Sequence, residues 1–195
     1  MWRKRNRPDS GTSKNHTGGK CREESGEDSV EAEAEAVSVA VVRDKAMFLL
    51  AGREHGRLEL RQKLVQRQYP PPLIDSVLDE LAERGLQCDV RFAESYTRMR
   101  VNRGYGANKI RADLQAKKLT RDIVEQAIIE NDADWDENAH AALIKKFAVS
   151  DCIEMPDNYK EKVAYIGKMT RFLQARGYGS QQIAEALKRV STRTA

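Results

Sequence analysis

The chain has 195 residues, 40% of them hydrophobic, 33% charged and 6% aromatic, and a formal net charge of +4. The dominance of Ala, Glu, Lys, Leu and Arg, with almost no valine- and isoleucine-rich runs, favours helix and argues against a sandwich, a barrel or a doubly wound sheet. Three widely spaced cysteines (Cys21, Cys88, Cys152) form neither a disulfide framework nor a zinc pattern, and no apolar run approaches the length of a membrane span.

A soluble, cytoplasmic protein is therefore expected, with no membrane partner. No apolar signal-peptide segment follows the basic opening Met1-Trp2-Arg3-Lys4-Arg5. Residues 1–37 run from basic (Arg3, Lys4, Arg5, Arg7) to acidic (Glu23, Glu24, Glu27, Asp28, Glu31, Glu33, Glu35) with few apolar groups to offset the entropy of ordering. This segment reads as a disordered tail.

From Val39 onward apolar periodicity takes over, and it repeats. Leu60, Leu64, Tyr69, Ile74, Val77 and Leu78 are matched by Ile110, Leu114, Leu119, Val124, Ala127 and Ile128, then by Met169, Leu173, Tyr178, Ile183, Ala186 and Leu187. The intervals are 4, 5, 5, 3 and 1 in every copy. In one continuous helix two steps of five would turn the stripe by roughly 280°, so a helix must end and another begin inside each unit. Pro70-Pro71-Pro72, Thr120 and Gly177 through Ser180 stand at those places and suit helix starts and stops.

A further helix precedes each pair. The first spans about Val39 to Arg53, with Val42, Ala46, Leu49 and Leu50 on one face. The second starts behind Asp89 as N-cap and presents Phe92, Ala93, Tyr96 and Met99. The third opens on a capping box, Asp134 to Glu137, and runs through Ala142, Leu143 and Phe147. The expected architecture is all-α: three tandem three-helix repeats at 38–87, 88–131 and 132–195, stacked as an elongated, curved rod. A longer link, Val149 to Asn158, sets the third repeat apart.

Catalytic constellations are absent from the pattern. His16, His55 and His140 have no second ligand at metal spacing, and no nucleophile elbow, P-loop or dinucleotide turn occurs. Arg103-Gly104-Tyr105-Gly106 and Arg176-Gly177-Tyr178-Gly179 follow no strand and read as punctuation between helices. Neither an enzyme nor a cofactor or metal site is expected.

The basic residues are the functional candidates. Between Ser95 and Ala112 lie Arg98, Arg100, Arg103, Lys109 and Arg111 with no acidic residue, and Lys117, Lys118 and Arg121 follow. Arg53 and Arg103 occupy equivalent helix ends, as do Arg67, Lys117 and Arg176, so interaction with helix C-termini explains these five. Arg98, Lys109, Arg111, Lys118 and Arg121 have no such repeated role and are the candidate contacts with a polyanion or an acidic protein surface. Tyr105 joins them as a ring that could stack; Tyr96 falls on the apolar face.

Asp89 through Tyr96, Arg103 through Ile110 and Leu114 together resemble the central signature of the RecX family of bacterial regulatory proteins. The first unit is similar to that family's opening repeat through Leu49-Leu50, Arg53, Glu59-Leu60, Lys63-Leu64 and Leu81 to Gly85, and the third through Phe172 to Tyr178 and Ile183. The chain departs from the family where it has Gly56 in place of a small polar N-cap, and Gln68 and Lys118 in place of glycine.

The resemblance implies a protein that lodges in the groove of the RecA filament on single-stranded DNA. There it would restrain ATP hydrolysis, strand exchange and repressor cleavage, tuning recombination and the SOS response. A monomer is expected, with single-stranded or duplex DNA as a further contact of the basic surface. The alternative is a DNA-binding regulator of helix-turn-helix type, although Leu73-Ile74-Asp75-Ser76, Ile123-Val124-Glu125 and Gln181-Gln182-Ile183 are poor readers of base edges.

Overall fold

The computed structural model describes residues 38–148 and 153–192. The disordered tail expected over 1–37 lies outside the described residues, as do positions 149–152 of the link. Among the described residues there are nine helices and no strand: α1 (Val39–Gly52), α2 (Arg57–Val65), α3 (Pro71–Glu83), α4 (Asp89–Asn102), α5 (Ala107–Ala116), α6 (Arg121–Glu130), α7 (Trp135–Phe147), α8 (Tyr159–Ala175) and α9 (Ser180–Thr192). No described helix is long and apolar enough to cross a membrane.

The helix breaks fall where the uneven intervals require them. Pro71 opens α3 at a position whose backbone N–H would be unpaired anyway. Asp134 caps α7, its Oδ1 accepting from Asp136 N at 3.1 Å and Glu137 N at 2.9 Å. Glu137 turns outward to Arg189, 2.9 Å away, so the cap is made from Asp134's side alone.

The repeated apolar positions build three separate cores. Val42, Ala46, Leu60, Leu64, Ile74, Val77, Leu78 and Leu81 form the first. Phe92, Ala93, Ile110, Leu114, Leu119, Val124, Ala127 and Ile128 form the second. The third gathers Leu143, Met169, Leu173, Tyr178, Ile183, Ala186 and Val190. Of the eighteen repeated positions only Tyr69 and Leu187 are less than buried, and both pack against their cores. Each fully buried Leu or Ile contributes about 1.5–3 kcal/mol.

The third core also takes Ile153 and Met155 from the link, which is thus more than a spacer. Burial lifts the Tyr178 phenol to about 12, and its hydroxyl donates to Asn138 O at 3.2 Å.

Candidate interaction surface

Five described helices, α2 to α6, begin without a side-chain cap bond of their own, and at two of them the N-cap is glycine. Gly56 and Gly106 stand at the N-caps of α2 and α5, where neither has a side chain to offer the free N–H groups. The following repeat supplies the acceptors. Asp89 Oδ1 accepts from Arg57 N at 2.8 Å and from Gln87 Nε2 at 2.8 Å. Asp89 is therefore the first residue of α4 rather than its N-cap, a place held by Cys88, and its carboxylate caps a helix of the first repeat. At α5 the acceptors are backbone: Gly106 N donates to Arg176 O at 2.8 Å and Asn108 N to Gly177 O at 3.1 Å.

This second junction has no room for side chains. A Cβ on Gly177 would lie 2.3 Å from Lys109 N, and one on Gly106 would lie 2.5 Å from Gly177 O.

Arg67, Lys117 and Arg176 share one position and do three different things. Arg67 donates to Lys63 O of its own helix at 3.0 Å. Lys117 reaches back to Glu59 of the first repeat at 3.8 Å and lies over the Phe92 and Tyr96 rings. Arg176 reaches back to Arg103 O at 2.7 Å and Gly104 O at 3.1 Å, with its guanidinium over Phe172 and Tyr105. The first repeat has no described predecessor, and only there is the residue spent on its own helix end.

Glu59 is the electrostatic hub of the first junction, contacted by Arg53, His55 (3.2 Å), Lys63 (3.6 Å) and Lys117. Burial raises its pKa, but the hydrogen bond and charge of Arg53, aided by Lys117 and His55, prevail and hold it below the ordinary carboxylate value. His55 is buried, and desolvation followed by the charge of Arg53 lowers its pKa despite Glu59.

The run from Ser95 to Ala112 holds cations only along the chain; the fold brings carboxylates to it. Arg111 forms a bidentate pair with Glu125 at 2.6 and 2.9 Å and also donates to Asn108 Oδ1 at 3.0 Å. Its hydrogen bond, against a smaller desolvation effect, holds Glu125 below the usual carboxylate range. The same pair recurs fifty residues earlier as Arg61 and Asp75, 2.8 Å apart, so Arg111 does have a repeated structural role. Sequence reading missed it because the carboxylate differs and sits on another helix.

Lys109 lies 3.2 Å from Asp113, which also pairs with Arg100 at 2.6 Å. Tyr105 is half-buried with two guanidiniums against its ring, Arg100 at 4.6 Å and Arg176 at 5.2 Å.

Arg98 is exposed and shares a shallow recess with Glu94, Glu130 and Asn131. Lys118 and Arg121, both exposed, flank the α5–α6 turn. The six candidates thus divide: Lys109 and Tyr105 at the junction of the second and third repeats, Lys118 and Arg121 at a turn, Arg98 beside the end of α6, and Arg111 inside a pair.

The structure also assembles cations that the sequence keeps far apart. Arg103 from the end of α4, Lys145 and Lys146 from the last turn of α7 and Arg176 from the end of α8 line one cleft of about 480 Å³. Its floor is Val101, Ala141, Ala142 and Phe172, and no carboxylate lines it. Each cation alone suits a helix C-terminus; only their convergence in space sets them apart. No group of three His, Cys, Asp or Glu able to hold a metal ion occurs among the described residues.

Residues 43–81 match the model of the first three-helix domain of RecX, and residues 89–128 match that of the second. A regulatory protein RecX from Pseudomonas savastanoi pv. phaseolicola is 42% identical over 146 residues, which cover 75% of this chain and 89% of that relative. One from Chromohalobacter salexigens is 40% identical over 148 residues, covering 76% and 91%. The crystal structure of RecX from Lactobacillus salivarius, at 23% identity, shares the fold with a TM-score of 0.62 over 83% of this chain and 99% of that one. With three cores at the repeated positions, two matched three-helix domains and such identity along nearly the whole of its relatives, the chain belongs to the RecX family of regulatory proteins.

Proposed function

We propose that this chain is a negative modulator of the RecA recombinase. It binds the RecA filament on single-stranded DNA and restrains its ATP hydrolysis, strand exchange and coprotease activity, which regulates DNA repair and the SOS response. The observation that carries this reading is the family membership, 42% identity over 146 residues. A chain of repeats suits the role physically, because modest contacts to successive filament subunits add up through effective concentration. The protein acts in the cytoplasm as a monomer, and its own chemistry is confined to binding.

Arg98, Lys109, Lys118 and Arg121 are the proposed contacts to RecA or to DNA. Arg111 and Tyr105 are proposed to contribute from within their pairings. The test is DNA-dependent ATP hydrolysis by RecA, titrated with the full chain. Hydrolysis is expected to fall at substoichiometric ratios, and charge reversal at Arg98, Lys118 and Arg121 together is expected to weaken that inhibition. Unchanged hydrolysis in the presence of excess chain would remove the proposal.

A further inference from the structure

The cleft between the second and third repeats holds more positive charge than its helix ends require. The C-termini of α4, α7 and α8 each carry roughly half a negative charge, about −1.5 together. Arg103, Lys145, Lys146 and Arg176 bring four full positive charges to the same place. Arg176 is committed to Arg103 O and Gly104 O, but Arg103, Lys145 and Lys146 are exposed, and among the described residues no carboxylate lies within ion-pair distance of either lysine. An excess of this kind suits an anionic occupant.

The floor decides what kind of anion. A single strand of nucleic acid binds by stacking its bases on open aromatic faces. Phe172 has Arg176 4.7 Å from its centroid and Phe147 edge-on at 5.4 Å. A space of about 480 Å³ walled by Val101 and Phe172 fits one or two side chains, with cations at the rim for carboxylates. We infer that this cleft docks an acidic peptide segment that inserts one apolar anchor side chain between the second and third repeats. The inference goes beyond the RecA reading, since it names the chemistry of the occupant rather than the protein supplying it.

Fluorescence anisotropy tests it, using the full chain and a short fluorescein-labelled peptide of Asp and Glu around a single Phe. Lys145→Glu with Lys146→Glu is expected to weaken binding by about tenfold or more. Replacing the probe's Phe with Ser is expected to do the same. Lys160→Glu with Lys162→Glu, an equal charge change on the exposed first turns of α8, should leave binding within about twofold. Both lysines of the first variant are exposed, so its melting by circular dichroism should stay cooperative and fall only slightly, from the helix-dipole interaction lost at the end of α7, and Lys145→Gln with Lys146→Gln supplies the milder form.

Absence of binding to the parent chain would overturn the inference. So would equal weakening by both charge pairs or indifference to the probe's Phe. A labelled oligothymidylate held more tightly than the peptide through Lys145 and Lys146 would overturn it in favour of nucleic acid. None of these outcomes bears on ATP hydrolysis by RecA, so this inference and the proposed function fail separately.

Discussion

Gln68 and Lys118 adopt φ of 63° and 64°, the left-handed conformation that Gly177 takes at 84° at the equivalent place in the third repeat. The motif demands this backbone because the chain must reverse after its second helix, and a side chain with Cβ costs about 1–2 kcal/mol there. Glycine is absent at two positions the fold strains, so Lys118→Gly should stabilise the chain by about 0.5–1 kcal/mol after its own entropy is counted. Urea unfolding checks this: the midpoint should rise with the slope unchanged, and a lower midpoint would mean that Lys118 holds something more than a turn.

A second residue-scale effect comes from His55. Its pKa is lowered, first by burial and then by Arg53, with Lys63 adding to these and Glu59 opposing them. The unfolded chain therefore takes up a proton near 6.5 that the folded chain resists. The stability is complete above that value and is lost as pH falls through the folded pKa. Glu59, lowered from 4.5, acts in the same sense at lower pH. The melting temperature should fall between about pH 7.5 and 5.5, and His55→Gln should flatten that part of the profile. An equal slope in the variant would contradict the assignment.

At the scale of elements, the helices were legible because their apolar intervals cannot be continuous. Their junctions were not legible. Nothing adjacent to Gly56 or Gly106 in the chain reveals that the cap comes from Asp89 or from the Arg176 and Gly177 carbonyls. The same blindness made Asp89 look like the cap of its own helix and left Arg111 without its partner Glu125. Periodicity reports which face is buried, whereas a cap or an ion pair depends on which helix end arrives opposite.

These junctions should be the sensitive points. Asp89→Ala removes the acceptor for Arg57 N across the first junction and should cost about 1–2 kcal/mol. Gly177→Ala meets Lys109 backbone at 2.3 Å under a positive φ and should cost more, about 2–4 kcal/mol, with loss of protection at the Gly106 and Asn108 amides in hydrogen exchange. Full protection of both amides in that variant would refute the docking described here.

For the molecule as a whole, family membership was legible through residues rather than through a pocket. The Asp89–Tyr96 and Arg103–Ile110 stretches carry the family resemblance, yet in the structure they serve packing and junctions: Phe92 is core, Asp89 a cap, Gly106 a close approach. Several residues that make the family recognisable are thus ones that fix repeat against repeat, whereas most of the proposed contacts lie outside those stretches. Arg98, Lys118 and Arg121 stand exposed there, while the cationic cleft at Lys145 and Lys146 joins segments too distant in the chain for any local pattern to connect.

The proposed partner is the assembled filament rather than DNA alone. Co-sedimentation decides this: the full chain is mixed with RecA filaments on single-stranded DNA, with the same DNA bare, and with duplex. The chain should pellet with the filament and stay largely in solution with either DNA at physiological salt. Pelleting with duplex alone, undiminished when RecA is left out, would contradict the account and turn the chain into a DNA-binding regulator.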